Sequence, residues 1–310
     1  MMAQQTPVQG ELMLNAPLER YNSWRVGGLA DRLYIPAGLE DLQQFMRTLG
    51  KDEPLYFIGL GSNLLIRDGG VRGTVIVMHN VLTGLEMVNG ELYAEAGVTC
   101  AKLARFSARQ SLQGGEFMAG IPGTVGGALA MNAGCHGGET WDIVQRVLTM
   151  DRQGNLHTRQ RAEFDASYRH VAFRGQPEQW LGGQEWFIAA WFSLAAGDAE
   201  EAEQKIKQLL ARRLATQPLN QPNAGSTFRN PPGDYAARLI EECGLKGYQI
   251  GGAQVSEKHA NFIVNLGGAR AAEIEQLIAH MRDSVKAKFG IELQQEVKVI
   301  GEQATGEREL

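Results

Sequence analysis

The stretch "GIPGTVGGALAMNAG", Gly120 to Gly134, says more about the fold than any other part of the chain. Glycine occupies positions 120, 123, 126 and 127, Pro122 lies among them, and most of the other side chains are small. Glycine is favoured where the backbone turns with positive φ or approaches a ligand closely. We expect a flat or extended ligand to lie directly on this backbone. The alternative is two stacked turns in an antiparallel sheet.

Two further glycine clusters support the ligand-binding interpretation. "GLGSN" (59–63) follows an apolar run, and backbone N–H groups in such a strand-to-loop turn can form a nest for phosphate oxygens. "NAGCHGGE" (132–139) overlaps the end of the first stretch. Neither the G-x-G-x-x-G fingerprint nor a P-loop occurs, so a nucleotide site would have to be of another type.

The composition limits the classes of protein and site that remain. The 310 residues carry a net charge of −5, which argues against a nucleic-acid partner. Three widely spaced cysteines, Cys100, Cys135 and Cys243, fit a reducing compartment, and we expect a cytoplasmic protein. We expect no signal peptide and no membrane insertion from "MMAQQTPVQGELML", and no metal site, because C-x-x-C and H-E-x-x-H are absent.

Hydrophobic periodicity predicts both helices and strands along the chain. Asn89-Gly90 is typical of a type I′ turn in a hairpin over 85–97, and Thr99 is a suitable helix cap. The helix over 198–215 should bury Ile206, Leu209, Leu210 and Leu214. The predicted helices are 38–50, 100–112, 198–215, 235–244 and 271–289. The predicted strands outside the hairpin are 31–37, 73–80, 144–151, 155–160, 186–194, 248–255, 261–266 and 294–301. The apolar run over 54–66 is predicted to be a strand that leads into a Gly-rich turn.

Several motifs occur together in one order: "NSWRVGG" (22–28), "GLGSNLLI" (59–66), the stretch from Gly120, "YRH" (168–170), "AGSTFRNP" (224–231) and "QQEVKVIG" (294–301). In this order they resemble the UDP-N-acetylenolpyruvoylglucosamine reductase (MurB) family. The resemblance spans roughly residues 15 to 302. It implies an α+β fold, in which a two-subdomain FAD-binding module (PCMH-like) precedes a small α+β substrate-binding domain. The implied boundaries are 1–80 and 81–215 for the two FAD-binding subdomains, 216–303 for the substrate-binding domain, and 304–310 for a tail.

The resemblance also implies a noncovalent FAD cofactor and NADPH as co-substrate. The FAD pyrophosphate would contact Gly59, Gly61, Ser62 and Asn63. The isoalloxazine ring of FAD and the adjoining parts of the cofactor would lie against the segments 120–127 and 132–134. The contacting residues would be Gly120, Ile121, Pro122, Gly123, Gly126, Gly127, Asn132, Ala133 and Gly134.

The implied reaction reduces the enolpyruvyl ether of a UDP-sugar to a lactyl ether during peptidoglycan precursor synthesis. Reduced flavin would deliver hydride to one alkene carbon, and Ser226 would protonate the carbon beside the carboxylate. Arg169 would bind the substrate carboxylate in a bidentate way, and Glu296 would lie across it. Burial near that carboxylate would raise the pKa of Glu296. Arg229 could support the Ser226 hydroxyl through its charge.

Ser226 follows Arg169 by only 57 positions, and the segment after Ser226 also resembles the family type that lacks an extra loop with a tyrosine, so the chain resembles that type. Other groups would then hold the substrate diphosphate; the candidates are Arg213, Tyr235, Lys246, His259 and Asn261. The chain departs from the family pattern after Arg169, where Val171 replaces a hydroxyl and Arg174 a lysine. We expect this to remove a local hydrogen bond and to leave the role of Arg169 intact.

Two other functions are compatible with the glycine clusters alone. One is a different oxidoreductase on the same FAD module, acting on a hydroxy acid or an alcohol. The other is a nonenzymatic nucleotide-binding protein. "AGSTFRNP" and "QQEVKVIG" favour the reductase, because both match its substrate-binding domain.

Overall fold

A computed structural model describes residues 8–176 and 184–304 of the chain. The α-helices are α1 (Leu39–Thr48), α2 (Cys100–Arg109), α3 (Val125–Met131), α4 (Thr140–Ile143), α5 (Ala199–Thr216), α6 (Ala236–Glu242) and α7 (Ala271–Phe289). Short 3-10 helices cover Leu18–Tyr21, Glu116–Gly120 and Arg161–Glu163.

The strands run from near the N-terminus almost to the end of the chain. In its first half they are β1 (Glu11–Pro17), β2 (Leu29–Ile35), β3 (Leu55–Ile58), β4 (Leu64–Ile66), β5 (Val71–Val77), β6 (Leu85–Val88), β7 (Glu91–Glu95), β8 (Leu112–Gln113), β9 (Gly134–Cys135), β10 (Gly138–Glu139) and β11 (Val144–Asp151). In its second half they are β12 (Leu156–Gln160), β13 (Phe164–Ser167), β14 (His170–Phe173), β15 (Glu185–Phe192), β16 (Ala195–Ala196), β17 (Gln249–Ile250), β18 (Ala253–Val255), β19 (Ile263–Asn265) and β20 (Lys298–Ile300). The mixture of helices and strands confirms the predicted α+β class.

The described residues fall into two compact units. Unit 1 comprises 8–13, 33–59, 73–176 and 184–211, and unit 2 comprises 14–32, 60–72 and 212–304. Strands β1, β2, β5 and β3 lie side by side in that order, and β3 is parallel to β5. Both units are discontinuous in sequence. The three-part division expected from the sequence stays a prediction.

Unit 1 is built around a five-stranded sheet with the order β12-β11-β15-β7-β6. Helices α2 and α3 contribute Leu103, Val125 and Leu129 to its main core, and all three are fully buried. A Cβ at Gly126 would lie 2.9 Å from the Cβ of Ala96, so glycine lets α3 approach this neighbour closely. Gly126 therefore serves helix packing.

Two local predictions in unit 1 are confirmed. Asn89 (φ 51°) and Gly90 (φ 84°) both have positive φ and join β6 to β7, as a type I′ turn requires. The Thr99 side chain accepts a hydrogen bond from the N–H of Lys102 at 3.3 Å and caps α2.

Unit 2 is built around α6, α7 and the antiparallel sheet β17-β18-β19. Its core also takes residues from distant parts of the chain, among them Trp24 and Leu65, both fully buried. The indole N–H of Trp24 donates to the carbonyl of Ile263 at 2.8 Å, and the Asn265 amide donates to the carbonyl of Trp24 at 2.8 Å. Strand β4 pairs in parallel with β20, with Leu64 opposite Lys298.

Four predictions about elements are wrong. Leu214 is 63% exposed rather than buried, because it lies in the last turn of α5, beyond the core residues that cover Ile206. The strand predicted over 248–255 is a hairpin, with Gly251-Gly252 as its two-residue turn. Only 298–300 of the strand predicted over 294–301 forms a strand. Residues 125–131 form a helix rather than the stacked turns given as the alternative for that stretch.

No α-helix in residues 8–176 and 184–304 is long and apolar enough to cross a membrane. Within the same residues, no cluster of three or more His, Cys, Asp or Glu side chains could hold a metal ion.

Candidate active site

The Ser226 loop of unit 2 is held by local hydrogen bonds. The Asn223 side chain accepts from the N–H of Gly225 at 2.9 Å and donates to the carbonyls of Pro218 and Gln221. Gly225 has a φ of 74°, a conformation that favours glycine. Ser226 follows directly and is half-buried.

Asn261 anchors the residues after Ser226. Its side-chain amide donates to the carbonyl of Phe228 at 2.8 Å and accepts from the N–H of Phe228 at 3.0 Å. Its own carbonyl accepts from the N–H of Thr227 at 2.8 Å. Asn261 is only 3% exposed, so these bonds are made inside the protein. The amide predicted to bind substrate thus supports the shape of the Ser226 loop.

The Ser226 loop and the Glu296 segment pair with each other. The N–H of Glu296 donates to the carbonyl of Thr227 at 2.9 Å, and the N–H of Arg229 donates to the carbonyl of Gln294 at 2.8 Å. Phe228 lies opposite Gln295 in an antiparallel bridge. Backbone pairing in unit 2 therefore brings Ser226, Arg229 and Glu296 into one neighbourhood, although 70 positions separate Ser226 from Glu296.

Lys298 belongs to the same neighbourhood and was missed from the sequence. Its side chain is exposed overall, yet desolvation by burial and the nearby Arg229 charge lower the pKa of its ammonium group. No sequence signal marks this lysine, because its proximity to Arg229 arises only from the backbone pairing. Thr227 also points inward, and its buried hydroxyl has no hydrogen-bond partner among the residues that the structure describes.

The loop of Gly59 to Asn63 has the backbone that a phosphate site needs. Gly61 has a φ of 60°, and a Cβ there would lie 2.2 Å from the carbonyl oxygen of Tyr21. The N–H groups of Gly59 to Ser62 donate no hydrogen bond to any residue of the described chain. Consecutive N–H donors of this kind can bind phosphate oxygens, so the loop fits the pyrophosphate of a dinucleotide.

Arg169 lies in unit 1, at the two-residue turn between β13 and β14. Its φ is 57°, which is uncommon for a residue with a side chain. The guanidinium donates to the carbonyl of Asn132 at 3.3 Å and to that of Gly134 at 3.2 Å. The predicted catalytic arginine therefore contacts the segment predicted to bind the cofactor. Val171, the departure from the family pattern, is 1% exposed and packs in the core.

Asn132 organises this part of unit 1. It has a φ of 42° and ends α3 in the left-handed conformation. Its amide nitrogen donates to the Glu139 carboxylate at 2.8 Å and to the carbonyl of Ser167 at 3.0 Å, while its oxygen accepts from the N–H of Trp141 at 3.0 Å. Glu139 was not predicted as a site residue. Its carboxylate connects to Arg169 through Asn132.

The remaining predicted cofactor residues differ in exposure. Pro122 and Gly127 are exposed, Ile121 is buried, and Gly123 and Ala133 are half-buried. Gly120 is buried, and a Cβ there would lie 2.5 Å from the sulfur of Cys135. Gly120 thus packs tightly against Cys135, and a larger residue would force the Cys135 side chain to move.

The candidate residues for the substrate diphosphate are spread over unit 2. Burial and the Lys246 charge both lower the pKa of His259, so these two residues lie near each other. The Lys246 ammonium pairs with Glu241 at 2.8 Å, and Arg213 donates to the side chain of Gln217 at 2.8 Å. Tyr235 is 68% exposed at the start of α6.

Two family models match different parts of the chain. The family model for the C-terminal domain of UDP-N-acetylenolpyruvoylglucosamine reductase matches residues 217–300, and that for an FAD binding domain matches residues 30–159. The UDP-N-acetylenolpyruvoylglucosamine reductase of Nitrosospira multiformis is 56% identical over 317 residues, which cover 97% of this chain and 91% of the relative. That of Methylococcus capsulatus is 55% identical over 297 residues, which cover 96% of this chain and 95% of the relative.

A solved structure is similar over nearly the whole chain. The crystal structure of UDP-N-acetylenolpyruvylglucosamine reductase from Thermus caldophilus is 32% identical in sequence and superimposes with a TM-score of 0.76. The match covers 94% of this chain and 99% of the Thermus chain. By its sequence, its domains and its fold, this chain belongs to the UDP-N-acetylenolpyruvoylglucosamine reductase family.

Proposed function

We propose that this chain reduces UDP-N-acetylglucosamine enolpyruvate to UDP-N-acetylmuramate, a step of cytoplasmic peptidoglycan precursor synthesis. FAD is the noncovalent cofactor and NADPH is the electron donor. The observation that carries this proposal is the pairing of Thr227 with Glu296, which holds a proton-donating hydroxyl and a carboxylate in one neighbourhood. The names of the relatives support the choice of substrate.

The FAD binding domain match and the backbone of the Gly59–Asn63 loop support the cofactor. The N–H groups of Gly59 to Ser62 would bind the pyrophosphate, and Gly120 to Gly127 and Asn132 to Gly134 would bind the remaining parts. When bound, FAD takes two electrons from NADPH and supplies them to the alkene of the substrate.

Ser226 donates the proton that completes the reduction. The carbon beside the substrate carboxylate gains negative charge as the alkene is reduced, and a hydroxyl held close to it can protonate it. A serine hydroxyl is a weak acid, so the alkoxide left behind needs support. The positive charges of Arg229 and Lys298 stabilise that alkoxide, and Glu296 lies across the substrate carboxylate.

Arg169 binds and orients the substrate carboxylate. A guanidinium is a planar fork with five N–H donors, which suits a carboxylate better than a single ammonium does. Its bonds to the carbonyls of Asn132 and Gly134 restrict the rotation of the side chain. Orientation of this kind reduces the entropy that the substrate complex must lose.

The substrate diphosphate is bound in unit 2 by His259, Lys246 and their neighbours. His259 is uncharged near neutral pH, because burial and the Lys246 charge lower its pKa. A neutral imidazole donates one hydrogen bond, and its Nδ1 already accepts from the N–H of Asn261 at 3.3 Å. Its Nε2–H is thus the donor directed to a phosphate oxygen, while Lys246 supplies charge.

Stopped-flow absorbance of the Ser226→Ala variant tests this proposal. Acid precipitation should first release all the yellow cofactor from the parent protein. The variant should fold, bind FAD and be reduced by NADPH at a rate within about twofold of the parent, because that half-reaction needs no proton from Ser226. Reoxidation by the enolpyruvyl substrate under anaerobic conditions should slow by on the order of 10²- to 10⁴-fold.

Ser226→Cys should recover part of the rate, since a thiol can donate a proton from nearly the same place. Reoxidation of Ser226→Ala at the parental rate would show that Ser226 is not the donor. A parent protein that accepts electrons from NADPH but never passes them to the enolpyruvyl substrate would instead support a different oxidoreductase.

A further inference from the structure

Strands β4 and β20 are short, parallel and adjacent, and each begins next to a residue of the proposed site. Asn63 directly precedes β4, and Glu296 lies two residues before the first residue of β20. In a parallel pair the strands begin at the same edge, so the residues before them lie together. Here Leu64 is opposite Lys298, and Leu65 and Ile66, the other two residues of β4, are fully buried.

Asn63 joins the two segments at this edge through both its side chain and its backbone. Its side-chain amide donates to the carbonyl of Glu296 at 3.2 Å. Its own carbonyl accepts from the N–H of Lys298 at 3.0 Å. These two bonds bracket Val297, which is 3% exposed and therefore fixed by packing as well. The backbone on the C-terminal side of Glu296 is thus held by Asn63.

The other side of Glu296 is held by the Ser226 loop, since the N–H of Glu296 donates to the carbonyl of Thr227. The backbone of Glu296 is therefore held by two hydrogen bonds, one to Asn63 of the Gly59–Asn63 loop and one to Thr227 of the Ser226 loop. We infer that Asn63 is a positioning residue, which places Glu296 relative to Ser226 by holding the carbonyl of Glu296 with its side-chain amide. This inference rests on the proposed function.

The backbone and the side chain of Asn63 have different roles. Its backbone belongs to the loop that binds the pyrophosphate, and its side chain is directed to Glu296. A substitution that removes the side-chain amide should therefore leave FAD affinity nearly unchanged and should affect the step in which Glu296 acts. A side chain that contacts FAD directly would give the opposite result.

A double-mutant cycle with Asn63→Ala and Glu296→Gln tests this coupling. Asn63→Ala should keep the FAD dissociation constant and the rate of reduction by NADPH within about threefold of the parent. Its reoxidation by enolpyruvyl substrate should slow by on the order of tenfold, the size expected when residues in direct contact are coupled. In the Glu296→Gln background, Asn63→Ala should slow reoxidation by less than about twofold further.

Hydrogen exchange gives a readout that is independent of turnover. In Asn63→Ala without FAD, amides of residues 296–298 should exchange faster than in the parent, whereas those of α7 should not. Ser62→Ala is the matched control from the same loop. It should leave the exchange of residues 296–298 unchanged, and any effect it has should fall on FAD affinity.

The outcomes separate this inference from the proposed function. If Glu296→Gln alone leaves reoxidation at the parental rate, the proposed role of Glu296 is wrong. If Glu296→Gln slows reoxidation but Asn63→Ala multiplies that effect in full, Asn63 does not act through Glu296. Weakened FAD binding in Asn63→Ala with unchanged exchange at 296–298 would also overturn the inference.

Discussion

Replacement of Asn261 by alanine should destabilise unit 2 before it affects any ligand. The Asn261 amide makes two hydrogen bonds to the backbone of Phe228, and both residues are almost completely buried. Removing it leaves one N–H and one carbonyl of Phe228 without partners. Each such buried group costs about 1–3 kcal/mol, so we expect the free energy of unfolding to fall by about 2–6 kcal/mol.

Urea unfolding of the parent and of Asn261→Ala, both without FAD, measures this difference. Asn155→Ala is the control, because Asn155 is exposed and bonds only to the Asp151 loop, and it should change stability by less than about 0.5 kcal/mol. Unfolding of Asn261→Ala at the parental midpoint, together with lost substrate affinity, would refute this reasoning. Asn261 would then be a ligand contact, as the sequence pattern indicated.

Two further predictions concern Arg169 and His259. Arg169→Lys should slow reoxidation by the substrate by on the order of tenfold and leave reduction by NADPH nearly unchanged, because one ammonium cannot replace the two-pronged guanidinium. If stopped flow shows that both half-reactions slow equally, Arg169 belongs to the cofactor site instead. The folded state holds the pKa of His259 below the ordinary value of 6.5. Below pH 6.5 the unfolded chain therefore binds more protons at His259 than the folded chain does. The free energy of unfolding consequently decreases as the pH falls below 6.5. Thermal unfolding between pH 7.5 and 5.5 should therefore depend less steeply on pH in His259→Gln than in the parent, and parallel curves would contradict this assignment.

Local patterns were sufficient where the interactions are local. The apolar face from Ile274 to Val285 predicted the helix 271–289, and the structure has these same bounds, with Gly290 at a φ of 70° directly after the last residue. The turn at Asn89-Gly90 was equally clear, because only residues that tolerate positive φ form it at low cost.

Predictions failed where the deciding interaction lies elsewhere in the chain. Leu214 shares a helical face with Ile206, but periodicity does not reveal where the core beneath that face ends. Gly126 and Gly127 lower helix propensity and concealed α3, whose packing beside Ala96 depends on Gly126. The Gly251-Gly252 turn is different, since a Gly-Gly pair between two short strands is a hairpin signal that the sequence contained.

In the candidate site, too, the residues within local motifs could be predicted, whereas the contacts between distant segments could not. The resemblance to the family indicated Ser226, Arg169 and Glu296 as residue types in motifs. The bonds of Asn63 to Glu296 and Lys298 depend on the parallel register of β4 and β20, which two three-residue strands cannot specify by pattern. The proximity of Lys298 to Arg229 follows from that same long-range pairing.

The discontinuity of unit 2 has a consequence for how the protein is made. Trp24 and Leu65 emerge from the ribosome long before α7 and β20, yet they are buried only in the core that those later elements complete. Until synthesis is nearly finished, the native core that buries these apolar side chains is incomplete. Chaperones that recognise exposed aromatic segments therefore have time to bind them. A fragment starting at residue 212 would meet the converse problem, because it would lack Trp24 and Leu65, which help to fill the core of unit 2. The order of translation therefore delays the assembly of the unit 2 core until the last strand is released.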